Sequence, residues 1–420
     1  MAQSPENTPS QSPEAIPVSR RQVALTWLVV LAAIAVFVWK KPDTAITVVT
    51  FIVMLSVLVF VHEWGHFQFA RWAGMKVNRF AIGFPPFIYT KRVKGIDYSI
   101  GALPIGGMVD IAGLGSEEEM VATTKGEPLQ VAAPRLNAPR GQKMFQDGSL
   151  GWRFMTLFAG PMMNFVFAFL VFFIVFTMVG KPETQIFAAK VLQGQSASQA
   201  GWKDKDRIVS IDGKRIADPD TLLSVVRAHG TSPLNVVLER SGKQIQTTVT
   251  PTIKTMDTED GTRPTPSIGI ELGLGKTTFR KLGVLETAQT GAHYTYRVVG
   301  SIVGILKRAL TFRLTKSDKE GVGGPVKIAQ VVGETARQGW PDLAIMAAAL
   351  SVNLGLMNLL PFPALDGGRI LFLGYELVAR KPIDARKEGL AHTVGMVMLL
   401  AFMLFITARD ILPFIQKQLS

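Results

Sequence analysis

Five uncharged runs rich in apolar residues, at 23–39, 44–61, 154–180, 343–365 and 389–408, limit what this chain can fold into more than any other feature. Hydrocarbon offers no partner to backbone N–H and C=O groups, so a segment that crosses it must satisfy them internally. A helix of roughly 17–25 residues does so. The first run is marginal at 17 residues and the rest are long enough. Charged residues make up 18% of the chain, against roughly 25% in soluble domains. The pattern predicts a polytopic α-helical membrane protein of about five spans.

Arg20 and Arg21 ahead of the first run also fit a secretory leader. No small-x-small cleavage site follows, however, and Trp39-Lys40-Lys41-Pro42-Asp43 reads as a tight turn into the next helix, so a retained span is expected. Residues 1–22, rich in Ser, Pro, Gln and Asn up to residue 19, predict a disordered N-terminus. The chain has no cysteine, which excludes disulfides and thiolate metal sites. A net charge of +13 would suggest nucleic acid in a soluble protein. Here the basic residues fall between spans, eleven in 71–153 and five in 369–387, so the charge reads as topology and not as a nucleic-acid site. By that rule both segments face the cytoplasm. Lys40 and Lys41 violate it locally.

The N-terminal membrane region is expected over 23–180. Within it, residues 78–110 are punctuated by Gly83, Pro85, Pro86, Gly95, Gly101, Pro104, Gly106 and Gly107, which is turn and strand chemistry. Residues 184–274 carry short strands at Lys190, Arg207 and Leu234, an amphipathic helix at 220–229, and Asp-Gly and Gly-Lys turns, as in a soluble α+β domain outside the membrane. Residues 279–340 read as an amphipathic, interfacial linker, with its helix at 295–312 and a sixth span as the alternative. A C-terminal membrane region follows over 341–413.

His62-Glu63-Trp64-Gly65-His66 closes the second run. Residues four apart on a helix share one face, so both imidazoles can reach a single ion, and Glu63 lies beside them as a proton acceptor for water. Ionisable groups at the end of an apolar helix are costly unless paired or metal-bound. Catalytic zinc usually takes three protein ligands. Of the remaining candidates, His229, His293 and His392 are less suitable than Asp366, the only charged residue between Leu343 and Gly368. Pro361 and Pro363 break the helix before it, and Gly367 and Gly368 permit a turn. Asp366 could instead cap a helix.

These motifs, with Asn358-x-x-Pro361-x-Pro363-x-x-Asp366-Gly-Gly, Ala159-Gly160-Pro161-Met-Met-Asn164 and Gly324-Pro325 in the same order, resemble the site-2 protease family of intramembrane zinc metalloproteases. The likeness is greatest to the bacterial members that cut anti-sigma factors. The resemblance implies Zn²⁺ held by His62, His66 and Asp366, Glu63 as general base, and Asn358 as a contact to substrate backbone. It also implies a membrane-re-entrant β-structure at 83–109, where Gly101, Gly106 and Gly107 would line an edge that pairs with an unwound substrate segment. Asn164 is left between helix packing and a place on the substrate path. Gln195 to Gly213 resembles the permuted PDZ domains of bacterial proteases, with 267–270 as a possible peptide-end loop.

The implied partners are the lipid bilayer of the bacterial cytoplasmic membrane, single-span membrane proteins of the anti-sigma-factor kind or remnant signal peptides, and an upstream site-1-type protease. A catalytically silent PDZ scaffold is the rival reading, and a zinc-coupled transporter a third.

Overall fold

The computed structural model of the chain describes residues 39–114, 142–258, 261–315, 318, 323–381, 383 and 385–419. The expected disordered N-terminus and nearly all of the first run lie outside them. Among the described residues four helices are long and apolar enough to cross a membrane: α1 (Pro42–Trp72), α2 (Leu150–Met178), α7 (Trp340–Asn358) and α9 (Ala385–Leu419), the last over Lys387–Leu412. They coincide with the second to fifth apolar runs. α1 runs eleven residues past its run, carrying the His-Glu motif as continuous helix.

Between α1 and α2 the chain forms β1 (Val77–Val93) and β2 (Ile96–Ile111), paired antiparallel. The register shows that these long strands bend. Four segments lie side by side in the order 87–93, 96–101, 79–82 and 107–111, because Ser99 faces both Thr90 and Ala81, and Ala81 faces both Ser99 and Met108. Ser56 Oγ of α1 donates to the Pro104 carbonyl at 2.7 Å and ties the sheet to the bundle.

A β-domain follows α2: β3 (Lys181–Val191), a short α3 (Ser196–Gln199), β4 (Arg207–Ile211), β5 (Lys214–Arg215), α4 (Pro219–His229), β6 (Leu234–Arg240), β7 (Lys243–Val249), a separate hairpin of β8 (Thr252–Thr258) and β9 (Gly261–Ser267), and β10 (Ile270–Arg280). The main sheet is antiparallel in the order β10-β3-β4-β6-β7, with β5 beside β4. Its inward side chains, among them Ile186, Ile208, Ile211, Leu234, Val236 and Leu238, close over Trp202 and the buried face of α4. Asp218 caps α4 by accepting from Thr221 N at 2.7 Å. Asp206 is fully buried and accepts two bonds of 2.7 Å from Arg240 and one of 2.8 Å from Lys203 N. Burial works against its charge, and these bonds outweigh it, holding the carboxyl below the usual carboxylate range.

β10 leads into α5 (Val284–Leu310), then α6 (Pro325–Gln338) and, after α7, α8 (Asp366–Ala379). α5 begins eleven residues earlier than its charge pattern suggested and is not among the span-length apolar helices, so the sixth span is not found among the described residues. Where β3 and β10 meet the bundle, buried Glu183 pairs with Arg215 at 2.7 Å and Arg280 at 2.8 Å, and Arg280 continues to Glu286 of α5 at 2.6 Å.

Candidate metal centre

The buried stripe of α1 is Met54, Leu58, His62, His66 and Ala70, one residue every four positions, so the two imidazoles occupy consecutive places on the inward face. α2 presents the matching stripe: Thr156, Gly160, Asn164, Ala168 and Phe172. The crossing is close because it is lined with small residues. A Cβ on Gly65 would strike the Ala159 carbonyl, and one on Gly160 would strike the His66 ring.

Asp366 arrives from the far end of the chain. α7 ends at Asn358, and Leu359 to Leu365 turn back without helix, as Pro361 and Pro363 suggested. Ala364 adopts a left-handed φ of 81°, and its N–H donates to His392 Nδ1 of α9 at 2.9 Å. Gly367 and Gly368 lie against the carbonyls of Leu359, Leu360 and Phe362, leaving no space for a side chain. Leu365 is the N-cap and Asp366 stands in the first turn of α8, where the helix dipole favours a carboxylate. The capping reading of Asp366 therefore does not describe its position.

The result is a triangle of ligand atoms: His62 Nε2 to His66 Nε2 3.2 Å, His62 Nε2 to Asp366 Oδ2 3.1 Å, and His66 Nε2 to Asp366 Oδ2 3.3 Å. Tetrahedral zinc with ligands at roughly 2.0–2.2 Å holds its donor atoms roughly 3.3–3.5 Å apart, so the triangle has about the size such an ion needs. The donor chemistry agrees. His66 Nδ1 lies 2.7 Å from the Thr156 carbonyl, to which only a protonated nitrogen can bond, and its Nε2 is left with a lone pair. Asp366 Oδ2 is buried with no hydrogen bond. His66 Nε2 and Asp366 Oδ2 converge as acceptors, an arrangement that a cation between them satisfies, and His62, His66 and Asp366 form the one group of metal-binding geometry among the described residues.

Beside the triangle is a cavity of about 220 Å³ lined by Glu63, Gly107 to Val109, Ile111, Leu114, Leu365 and Arg369 as well as the three ligand candidates. Glu63 is half-buried, one position along the helix from His62, and its Cγ is 3.3 Å from where a Cβ on Gly107 would sit. Asn358 Nδ2 is 3.5 Å from His62 Nε2.

The three glycines separate. Gly107 lies on the outer segment of the sheet, facing the cavity. Gly101 lies on an inner segment, paired with Phe87 on one side and packed against Gly83 and Phe84 on the other, and Gly106 packs against the Phe84 ring. Gly101 therefore offers no free edge.

Sequence reasoning passed over two partners, the Thr156 carbonyl and the Ala364 N–H, which are main-chain groups that no residue pattern reveals. Asn164, left by the sequence between helix packing and the substrate path, lies 3.1 Å from His62 Nδ1.

Residues 50–402 match the family model for peptidase family M50. The zinc metalloprotease RasP of Geobacillus kaustophilus is 31% identical over 432 aligned residues, covering 89% of this chain and 99% of that protein. RasP of Oceanobacillus iheyensis is 32% identical, covering 87% and 98%. Among solved structures, the PDZ domain of an SdrC-like protein from Listeria monocytogenes aligns with 21% of this chain and 85% of its own length, at 19% identity and a TM-score of 0.18.

Proposed function

The chain belongs to peptidase family M50 and is an integral membrane zinc metalloprotease, and from that premise we propose that it hydrolyses peptide bonds in or beside the transmembrane segments of single-span membrane proteins. The observation that carries this reading is the triangle of His62 and His66, on a helix of spanning length, with Asp366 at the start of the shorter α8, beside a cavity that also holds a carboxylate, Glu63. Zinc bound there supplies Lewis acidity toward water and the scissile carbonyl. Glu63 takes the proton from the attacking water and delivers it to the departing amine nitrogen. Asn358 hydrogen-bonds the substrate backbone beside the metal ligands. The segment 107–111 offers main-chain groups on the side that has no partner strand among the described residues, so an unwound substrate adds there as a further strand and presents an extended peptide bond to the site. That edge takes over the role first assigned to Gly101.

The substrates in this reading are anti-sigma-factor-like proteins or remnant signal peptides, already shortened by a site-1-type protease in regulated intramembrane proteolysis. The cluster of basic residues in 71–153 and 369–387 supports a cytoplasmic site in the inner membrane of a bacterium, with the β-domain outside as a PDZ-like unit that filters or binds substrates. His62 lies 20 residues into α1, roughly 30 Å along its axis, which is about the thickness of the hydrocarbon layer.

The test uses two variants of the full chain in detergent with a model transmembrane substrate. Glu63→Gln keeps size and zinc and is expected to lose about 10²- to 10⁴-fold in cleavage, or more where the water depends wholly on the base. Asp366→Ala is expected to lose zinc together with cleavage. Cleavage by Glu63→Gln at the parent rate would overturn the protease mechanism in favour of the scaffold, and full zinc retention in Asp366→Ala would remove that residue from the ligand set.

A further inference from the structure

Asn164 occupies the position where the second imidazole needs an acceptor. Its side chain is fully buried on α2, between α1 and α7. Ser351 Oγ donates to its main-chain carbonyl at 3.0 Å, and Gly355 opposite has no side chain, which leaves room for the Asn164 Cβ. One end of the amide, Nδ2, is 3.1 Å from His62 Nδ1, and the other, Oδ1, is buried without a hydrogen-bond partner.

This orientation has a chemical consequence. With Nδ2 toward the ring, Nδ1 must accept, and the imidazole proton moves to Nε2, the atom that faces Asp366 Oδ2 and His66 Nε2. A protonated Nε2 cannot ligate. The two ends of a carboxamide are alike in size and are exchanged by a half-turn about χ2. With Oδ1 toward the ring, Nδ1–H donates to the amide oxygen and the Nε2 lone pair points into the triangle. The first orientation leaves Oδ1 without a partner, and only the second is compatible with a metal at Nε2.

We propose that Asn164 is a positioning residue for zinc: its amide oxygen accepts the Nδ1 proton of His62, fixing the tautomer and the ring angle, as the Thr156 carbonyl does for His66. The inference rests on His62 ligating through Nε2. It makes the two outer partners different in kind, since the carbonyl belongs to the main chain and stays through any substitution whereas the amide can be exchanged. Metal-ligating imidazoles usually donate their second N–H in this way, and loss of the acceptor costs about 10–100-fold in metal affinity.

Zinc affinity by chelator competition and the visible absorption of the cobalt(II) form, both on the full-length protein in detergent, test the proposal without reference to cleavage. Asn164→Leu and Asn164→Ala are expected to bind zinc about 10–100-fold more weakly, with a changed cobalt spectrum. Asn164→Asp keeps an oxygen acceptor and is expected to bind zinc at least as tightly as the parent. If the leucine variant does not fold, the alanine variant, which only removes atoms, carries the comparison. Parent-like affinity in Asn164→Ala or in Asn164→Leu, or equal losses in Asn164→Asp and Asn164→Ala, would overturn the proposal, the leucine result by showing a packing role alone and the last by showing that an oxygen acceptor at this place does not serve. His62→Ala separates the two readings. If it retains zinc, the ligand assignment itself fails; if it loses zinc while Asn164→Ala does not, this inference alone fails.

Discussion

The β-domain and the helix bundle differ in the polar groups they bury. In the domain the interior is Ile186, Ile208, Ile211, Leu234 and Leu238, and the buried carboxylates, Asp206 and Glu183, each pair with arginine. In the bundle Thr156, Gly160, Asn164, Ser351 and the two histidines are buried where α1, α2 and α7 cross, on the same faces as Leu58, Ala168, Phe172 and Val352, while Val53, Leu170, Ile174, Val397 and Leu404 are exposed. The difference follows from the solvent. In water, burying a Leu or Ile side chain is worth about 1.5–3 kcal/mol. In lipid the surroundings are as apolar as the side chain, and helices associate through close backbone approach and polar contacts. Small and polar residues therefore sit beside apolar ones inside such a bundle, and the His62, His66 and Asp366 group occupies the part of the crossing where the small and polar ones gather.

Three variants press on this contrast. The largest effect is expected in the domain: Leu238→Ala removes a side chain that is 1% exposed, and should destabilise the sheet by about 2–5 kcal/mol, read as lost amide-exchange protection in β6, with zinc content unchanged. A loss of zinc would show that the two interiors are one cooperative unit. Next is Gly160→Ala, which adds a single methyl group against the His66 ring. Overpacking of this kind costs about 1–3 kcal/mol, enough to weaken zinc binding by roughly tenfold or more while the domain keeps its protection. Unchanged affinity would mean that the crossing can yield, and that close approach is not what sets the imidazole.

The smallest effect belongs to pH. The Asp206 carboxyl is held below its usual value in the folded domain, so the stability it contributes is present above the unfolded carboxylate pKa near 3.9 and is lost as pH falls toward the lower folded value. The slope from this one group is at most about 1.4 kcal/mol per pH unit. Asp206→Asn should flatten the acid limb for the β4 amides and leave the bundle unaffected. An unaltered acid limb would remove the Arg240 pair from the account of the domain.

The site was legible in the sequence where one helix carries the information. A spacing of four places His62 and His66 on one face, and Asp366 stands out as a lone charge in an apolar run interrupted by two prolines. What depends on the register between elements was not legible. Glycine and alternation mark 78–110 as strands, but nothing in the pattern says that 96–101 pairs on both sides, which places Gly101 inside the sheet and leaves 107–111 as the outer segment beside the cavity. His392 offered itself as a ligand by type, whereas the structure uses it to hold the Ala364 N–H, a donor with no side-chain signature. The early start of α5 was missed because Val284 to Tyr294 carry Glu286 but none of the basic residues that drew attention to 295–312.

The ligand triangle also has a history within each molecule. Asp366 follows His66 by 300 residues, and a ribosome making about 5–20 residues per second needs about 15–60 s to reach it. Throughout that interval the nascent chain holds two imidazoles and no carboxylate to complete the set. The β-domain, at 181–280, is made before Asp366. Every chain able to close the triangle therefore already carries the domain, and a chain whose synthesis stops early is released without a complete cutting centre.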